Sequence, residues 1–152
     1  MKAKHPGQAT ARQRSVVPIS RLVLSRVPHP TSVFGLGDAG AHCGIACDGS
    51  SPTLMLEHWT RERKRGPLIP LPDAIRMMTS ETAALYGMYD RGVIAPGYRA
   101  DLNVIDHASV RVLCPELIQD LPASGRRVMQ RATGYHATVV AGVITCVRRT
   151  DR

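Results

Sequence analysis

The chain has 152 residues, of which 43% are hydrophobic and 21% charged, a composition typical of a globular protein and not of a disordered one. Its formal charge is +8, but residues 1–30 carry six basic residues and no acid, and the rest of the chain has a net charge of only +2. This uneven distribution argues against nucleic-acid binding by the whole chain. Since no apolar run reaches the ~20 residues that a membrane span needs, no membrane partner is expected.

Four cysteines, at positions 43, 47, 114 and 146, bear on the redox state. No secretory hydrophobic segment is visible, which predicts reduced thiols and a cytoplasmic location. The first two are four residues apart, which is not the C-x-x-C spacing of zinc ribbons or redox motifs. A metal site made from His42, Cys43, Cys47 and Asp48 remains an alternative, although structural zinc sites usually join two spaced ligand pairs.

Residues 1–30 form the first segment in chain order. They contain four prolines, and residues 1–14 have almost no bulky apolar side chains, so a disordered leader is predicted there. The alternative is a basic arm that binds nucleic acid or an anionic surface. Salt distinguishes the two interpretations, because binding through counterion release weakens steeply as salt rises.

A glycine-rich loop follows the first predicted strand. Val33–Leu36 is largely apolar and predicts a short buried strand, and glycines stand at position 35 within it and at positions 37 and 40 after it. Asp38 lies among these glycines and His42 follows four residues later. A carboxylate held by tight backbone at a strand end is suited to act as a general base or a metal ligand. The alternative is an ordinary turn in which Asp38 caps the next segment.

Helical signals occupy the middle of the chain. Ser51-Pro52 is a helix start, Pro70 to Asp73 opens a second helix, and Ser80 caps a short third helix that Gly87 ends. A basic cluster lies in the last turn of the first predicted helix, which Gly66 ends. It suggests either phosphate binding or, as we favour, cations placed at the negative end of the helix dipole. Its members are Arg61, Arg63, Lys64 and Arg65.

The apolar pattern changes to a period of two at about residue 90, which predicts strands. Pro96-Gly97 is a type II turn signal and Ala141-Gly142 a two-residue hairpin signal, while Pro115–Pro122 is interpreted as a connector with room for one helical turn. The fold class is therefore α/β, an α+β arrangement with helices in the middle and antiparallel strands at the end. The predicted strands are Val93–Ile94, Asp101–Asp106, Ser109–Leu113, Tyr135–Val140 and Val143–Val147.

Several motifs resemble the amidohydrolase superfamily and, more closely, the amidohydrolase-3 branch that contains the N-acyl-D-amino-acid deacylases. The resemblance covers roughly residues 33 to 147 and leaves out the first thirty. It is carried by Gly37-Asp38-Ala39-Gly40-Ala41-His42, Cys47-Asp48, Ser51-Pro52-Thr53, Trp59, the run from Asp90 to Asp106, Asp120-Leu121-Pro122, Arg126-Arg127 and Ala141-Gly142.

For the fold, this resemblance implies the C-terminal fragment of a longer enzyme. Residues 31–90 then correspond to the last strand and helices of a metal-dependent (β/α)8 barrel, and residues 91–152 to strands of the accompanying β-sandwich. Residues 1–30 remain a basic leader. A complementary barrel fragment is the protein partner that this implies.

For the chemistry, the resemblance implies hydrolysis of non-peptide carbon–nitrogen bonds, such as those of N-acyl-D-amino acids, with zinc as the cofactor of the complete enzyme. The resemblance implies that Asp38 matches the Asp at the end of the eighth barrel strand, which completes the family's metal site and acts as general base and then general acid. His42 is the candidate for orienting the substrate. The chain lacks the family's His-x-His pair, so we expect it alone to bind no zinc and to be inactive. The alternatives are a non-catalytic remnant and a basic binding protein that acts through residues 1–30.

Overall fold

The computed structural model describes residues 29, 32–35, 37, 39–40 and 42–147. Residues 1–32 and 33–152 form two separate units. In the first unit the Ser32 backbone N–H donates to the His29 carbonyl at 2.8 Å. The predicted disorder of residues 1–14 lies outside the described residues. All the elements below belong to the second unit.

Helices occupy residues 48–85, as the spacing of the middle region predicts. A 3₁₀ turn, Asp48–Ser50, leads into α1 (Ser51–Leu54), which continues as a π-helix over Met55–Glu62. Two further helices follow, α2 (Leu71–Met78) and α3 (Ser80–Leu85). Pro52 lies in the first turn of α1, where its missing N–H costs no helical hydrogen bond.

The π-helix has a local cause in Thr60. Its hydroxyl donates to the Leu56 carbonyl at 2.5 Å, which competes with the backbone N–H that an α-helix would bring to that carbonyl. At the end of the segment the Arg63 N–H bonds the His58 carbonyl, five residues back, at 2.9 Å. Such wide turns are rare in proteins and occur mostly at functional sites.

Seven short strands occupy residues 102–147, and all of their pairings are antiparallel. A three-stranded sheet has the order β1-β6-β7, with Asn103 opposite Thr138 and Val140 opposite Val143. The other strands form two-stranded ribbons, β2 with β5 and β3 with β4. The strands are β1 (Leu102–Ile105), β2 (Arg111–Val112), β3 (Glu116–Leu121), β4 (Gly125–Met129), β5 (Ala132–Thr133), β6 (Tyr135–Val140) and β7 (Val143–Val147).

The mixture of helices and antiparallel strands confirms the α/β class, but three predicted segments are wrong. Residues 33–35 of the predicted Val33–Leu36 strand have no regular structure, because no described strand lies beside them to pair with. Val93 lies in a bend and Ile94 has no regular structure, since the preceding Gly92 adopts a φ of 86° and turns the chain. Pro115–Pro122 contains strand β3 where a connector was expected.

The apolar core is small. In the described residues it consists of side chains from the first helical segment, α2 and the residue before β2: Met55, Leu56, Ala74, Met77 and Val110. Two threonines and Arg63 are buried beside these residues. Nowhere in the described chain is a helix long and apolar enough to cross a membrane.

Candidate functional site

The glycine-rich loop is held by hydrogen bonds to two separate elements, α3 and β4. On its N-terminal side the Phe34 carbonyl accepts a hydrogen bond from the Thr82 hydroxyl of α3 at 2.9 Å. On its C-terminal side the Cys43 carbonyl accepts the Val128 N–H of β4 at 2.6 Å. Since neither contact is local, the loop depends on the folding of both the helical and the strand regions.

Gly37 is held directly against the 3₁₀ turn. A Cβ added at Gly37 would lie 2.7 Å from the Asp48 carbonyl oxygen, a distance that no real side chain tolerates. Ala39 also packs on this turn, since its Cβ would lie 3.0 Å from a Cβ at Gly49. The absence of a side chain at Gly37 therefore lets the loop pack on the turn that begins α1.

Gly40 gives the loop its change of direction. Its φ is 95°, a backbone conformation that strongly favours glycine. A tight turn follows, in which the Ile45 and Ala46 N–H groups both donate to the His42 carbonyl, at 2.8 and 2.9 Å. The predicted role of glycine in shaping this loop is thus explained at positions 37 and 40.

Asp38, the predicted catalytic residue and possible metal ligand, lies outside the described residues, as do Leu36 and Ala41. Its flanking residues, Gly37 and Ala39, are exposed, and so is His42, the predicted substrate-orienting residue. The structure therefore describes the neighbours of Asp38 in the loop but not Asp38 itself. The assignments of Asp38 and His42 stay predictions.

The residues described here do not fit a zinc site. Nowhere in the described part of the chain do three His, Cys, Asp or Glu side chains come together as a ligand set, so the alternative site of His42, Cys43, Cys47 and Asp48 is not formed. A catalytic zinc needs about three protein ligands. We therefore derive no chemical step through a metal from these residues.

The 3₁₀ turn on which Gly37 packs, and the α1 helix that follows it, are each joined to the strand region by one side-chain contact. The Ser50 hydroxyl donates to Gln130 Oε1 at 2.5 Å, and the hydroxyls of Thr53 and Tyr135 lie 2.8 Å apart. Ser51 adds a local bond from its hydroxyl to the Asp48 carbonyl at 2.6 Å. These bonds stabilise the surface on which Gly37 packs.

A second network joins the π-helix to the segment between β1 and β2, and sequence reasoning missed it. Arg61 was assigned to the end of its own helix, but its guanidinium donates to the His107 carbonyl and, at 2.7 Å, to the Val110 carbonyl. Glu57 accepts the Val112 N–H at 2.7 Å. Glu57 and Arg61 are four residues apart, which places them on one face of the helix. This spacing is the one signal in the sequence that could have indicated the network.

A cleft of about 310 Å³ lies between the first helical segment, α2 and β1. Leu56, Ile75 and Ile105 contribute to its apolar wall. Its charged groups are already paired with each other, since Arg99 Nε donates to the Asp101 carboxylate at 2.8 and 3.0 Å. None of the described residues between 33 and 47 lines this cleft.

The run from Asp90 to Asp106, which carries much of the sequence resemblance, has a structural explanation. A Cβ at Gly92 would lie 2.8 Å from the Ser80 Cα, so this glycine permits contact with α3. The Tyr98 N–H bonds the Ala95 carbonyl at 3.1 Å with Gly97 at a φ of 83°, which confirms the predicted type II turn. The motif therefore positions β1 against the helices.

Comparison with known proteins gives one family and several relatives. The amidohydrolase family profile matches residues 11–146. The match begins at residue 11, earlier than the resemblance in the motifs, which was placed at roughly residues 33 to 147. No solved structure matches the chain significantly.

Three relatives illustrate the similarity. A D-aminoacylase from Alcaligenes xylosoxydans xylosoxydans is 35% identical over 88 residues, which are 58% of this chain and 16% of that protein. An N-acyl-D-aspartate deacylase from the same organism is 41% identical over 58 residues, or 38% and 11% of the two chains. A 5-methylthioadenosine/S-adenosylhomocysteine deaminase from Desulfitobacterium hafniense is 25% identical over 121 residues, or 68% and 28%. The chain thus spans less than a third of each relative.

Proposed function

The chain belongs to the amidohydrolase family of metal-dependent hydrolases, in the D-aminoacylase branch, and we propose that it contributes a carboxylate-bearing loop to the hydrolysis of non-peptide carbon–nitrogen bonds. The proposed substrates are N-acyl-D-amino acids. The observation that carries the proposal is the similarity to D-aminoacylase and N-acyl-D-aspartate deacylase, together with a family match that includes the whole glycine-rich loop.

The geometry around Asp38 supports a chemical role for its side chain. The loop is held on one side by the bond from Thr82 to Phe34 and on the other by the bond from Val128 to Cys43. Contacts at Gly37 fix the backbone immediately before Asp38. Catalytic groups act efficiently when the scaffold that carries them is held in place, and the contacts of Phe34, Gly37 and Cys43 support such a role for this loop.

The proposed task of Asp38 is to move one proton. It takes the proton from the attacking water and then gives it to the nitrogen of the leaving amine, so that the carboxylate is regenerated. His42 is proposed to orient the substrate next to this loop. In the complete enzyme, zinc would supply the activation of water, with ligands that the described part of this chain does not provide.

The fold of the complete enzyme is part of the same proposal. Residues 31–90 would supply the last strand and helices of a (β/α)8 barrel, and residues 91–152 the strands of a small sandwich. A complementary polypeptide with the remaining barrel strands is the proposed partner of this chain. By itself the chain is proposed to be inactive.

Hydrolytic deamination is the second candidate function. The deaminase from Desulfitobacterium hafniense matches the largest share of this chain among the three relatives described above. Deamination of a purine-type substrate also breaks a carbon–nitrogen bond with water, so Asp38 would keep its task. Assaying N-acyl-D-amino acids and purine nucleosides in parallel distinguishes the two functions.

The test uses a full-length chimera in which this chain replaces the corresponding C-terminal part of an intact relative. We predict that Asp38→Asn lowers turnover by about 10²–10⁴-fold, because loss of a general acid–base group typically has this effect. The amide keeps the size of the side chain, so circular dichroism and metal content, measured by mass spectrometry, should change little. Turnover of an N-acyl-D-amino acid is the readout.

The matched control is Asp48→Asn in the same chimera. Asp48 is exposed and contacts the loop through its backbone carbonyl, not through its carboxylate. We expect this variant to keep most of the activity. Full activity in Asp38→Asn would contradict the assignment, and turnover by the 152-residue chain alone would contradict the proposal that it needs a partner.

A further inference from the structure

Apolar side chains from three elements line the cleft between the first helical segment, α2 and β1. Ile75 and Met78 on α2 are three residues apart, which places them on one face of the helix. Leu102 and Ile105 on β1 also line the cleft, together with the buried Leu56 of the π-helix. The cleft therefore forms only when the helical and strand regions come together.

The pairing of β1 with β6 explains how two β1 residues reach the cleft. The register shifts between Val104 and Ile105. Such an irregularity bends a strand and re-aims its side chains, so Leu102 and Ile105 line the same cleft although they are three residues apart. Val104, which lies between them in the sequence, is 53% exposed and does not line it.

The charged side chains at the cleft neutralise one another. Arg99 Nε donates to both oxygens of the Asp101 carboxylate, at 2.8 and 3.0 Å. Arg91 lies 3.8 Å from Asp101 and is itself paired with Asp90, at 2.8 and 3.1 Å. Because the positive and negative charges of these side chains cancel, the local field does not favour an ionic ligand.

The hydroxyl groups in the lining also have partners within the chain. The Tyr135 hydroxyl lies 2.8 Å from the Thr53 hydroxyl, and the Thr79 hydroxyl donates to the Ile75 carbonyl at 2.7 Å. A ligand needs no polar group to satisfy these hydroxyls, whereas a polar ligand would lose its hydrogen bonds to water on entering. The lining therefore favours an uncharged and mainly apolar molecule.

The size and hydration of the cleft suit a small ligand. Its volume of about 310 Å³ falls at the lower end of the range of about 300–1,000 Å³ that small-molecule sites occupy. Part of its lining is in contact with water, since Ile75 is 38%, Val93 50% and Ile94 87% exposed. A ligand that covers these side chains gains hydrophobic free energy in proportion to the apolar area removed from water.

We propose that this cleft binds one small, uncharged molecule with a mainly apolar body, such as an aromatic ring. The ligand contacts Ile75 and Met78 of α2 and Leu102 and Ile105 of β1. Met78 has an unbranched and flexible side chain, which adapts to the shape of a ligand. Binding in this cleft does not require Asp38 or the proposed hydrolytic reaction.

An uncharged fluorophore tests the proposal. N-phenylnaphthylamine is aromatic and uncharged, and its emission rises in an apolar environment. The 152-residue chain is titrated with this probe and, separately, with anilinonaphthalene sulfonate, which adds a sulfonate to the same rings. We expect a saturable rise in emission with one uncharged probe bound per chain. The half-saturation concentration of the sulfonated probe should be several-fold higher, because the cleft offers its charge no partner.

The variant Val93→Trp tests where the probe binds. Val93 is half exposed and lines the cleft, so the indole ring takes up space that the probe needs. We expect the half-saturation concentration to rise by about tenfold or more, as for steric exclusion from a shaped pocket. The matched control is Val104→Trp, since Val104 is exposed to a similar extent but lies outside the cleft. This control should bind the probe as the unmodified chain does.

The variant Ile75→Gln removes apolar surface from the lining and adds no bulk. We expect its half-saturation concentration to rise by about three- to tenfold, because less apolar area is buried against the probe. It keeps the test valid if the Val93→Trp chain does not fold, as judged by circular dichroism. Its control is Leu85→Gln on α3, at a residue that is 63% exposed and does not line the cleft, and no change is expected there.

The proposal is overturned if the uncharged probe gives no saturable rise, if the sulfonated probe binds more tightly, or if a folded Val93→Trp or Ile75→Gln chain binds as tightly as the unmodified one. It is also overturned if a control variant loses as much binding as its test variant. The titration is repeated at a higher protein concentration. Fewer probe molecules bound per chain under that condition would make a second copy of the chain the occupant of the cleft, which likewise overturns the proposal.

Discussion

Gly134 lies at the closest backbone approach in the strand region. Its φ is 85°, and a Cβ at this position would lie 2.4 Å from the Val110 Cα. Val110 is itself completely buried. The Gly134 carbonyl also accepts the Asp106 N–H at 2.8 Å. Gly134 therefore lets the segment between β5 and β6 lie directly on the core.

We predict that Gly134→Ala destabilises the chain by about 3 kcal/mol or more, because the methyl group meets both a positive φ and a backbone clash. The measurement is the free energy of unfolding in urea. Gly142→Ala is the matched control, since Gly142 has a similar φ of 81° with no atom within 4 Å of the added Cβ. It should cost only about 1–2 kcal/mol, and equal costs would contradict the steric argument.

At the scale of single residues, the sequence shows where the glycines of the loop are but not why each position requires a glycine. A glycine pattern at positions 35, 37 and 40 predicts freedom of the backbone, and Gly40 uses that freedom with a φ of 95°. Gly37 instead allows close packing on Asp48, and a Cβ at Gly35 would meet no atom within 4 Å. Such contacts depend on the tertiary structure and leave no local signal.

The hairpin of β6 and β7 is the element that the sequence predicted best. Its strands show alternation, and its turn uses Ala141 and Gly142 with φ values of 51° and 81°, the left-handed pair that a two-residue hairpin turn requires. The turn is fixed to the start of β1 by two bonds. The Asp101 carboxylate accepts the Ala141 N–H at 2.8 Å, and the Gly142 N–H bonds the Ala100 carbonyl at 3.0 Å.

The hydrogen bond between the Asp101 carboxylate and the Ala141 N–H predicts that the stability of the folded chain falls at acid pH. The Ala141 N–H, and then Arg99, lower the pKa of Asp101 in the folded chain. The stability that the ionised carboxylate contributes is therefore complete above the ordinary carboxyl pKa of about 4 and is lost as the pH falls below it. We predict that Asp101→Asn is less stable than the unmodified chain at pH 7 and that this difference disappears towards pH 3.

Unfolding free energies measured across this pH range test the prediction. Asn can still accept the Ala141 N–H, so the comparison isolates the charge. The control Asp73→Asn changes an exposed helical carboxylate that lies 3.3 Å from Arg76, and little change is expected at either pH. A constant difference between Asp101→Asn and the unmodified chain at all pH values would contradict the proposed linkage.

The β3–β4 hairpin shows why the prediction of elements was incomplete. Its turn contains Ala123 and Ser124 at φ values of 55° and 60°, and neither residue type signals a left-handed turn. An ion pair joins its strands, since Arg127 bonds the Asp120 carboxylate at 2.6 and 2.8 Å. Polar residues that pair across strands produce no hydrophobic alternation, so the segment was interpreted as a connector.

At the scale of the whole molecule, the second unit leaves much apolar surface uncovered. Five apolar side chains are buried in its described part, whereas many large ones are exposed, among them Ile45 at 85% and Ile94 at 87%. Strand β7 is an edge of its sheet, and all five of its residues are exposed. An exposed edge with Val143, Ile144 and Val147 and no charge is a site for pairing with another chain.

We therefore predict that the isolated chain is marginally stable and self-associates in a concentration-dependent way. Ile144→Lys should shift the chain towards the monomer in sedimentation velocity, because a charge on an edge strand opposes pairing. The control Ile45→Lys places the same charge on an exposed loop and should have little effect. A monomer that unfolds sharply, reversibly and independently of concentration would contradict the prediction.

The candidate site was predictable only in part, because the contacts that hold it join segments far apart in the sequence. Asp38 and His42 were identified from their motif, but the supports of the loop come from Thr82 and Val128, which no local pattern connects with it. The chain contains no His-x-His pair, and the expectation that it binds no zinc by itself stays a prediction. Contacts between distant segments are what a single sequence shows least.

The bond between the Cys43 carbonyl and the Val128 N–H has a consequence for biosynthesis. A ribosome makes the chain from its N-terminus, and domains begin to fold in that order. The glycine-rich loop therefore leaves the ribosome early, while β4, which holds its C-terminal side, is made near the end of the described chain. During most of translation the nascent loop has no partner on that side, and it acquires its final conformation only after β4 has been synthesised.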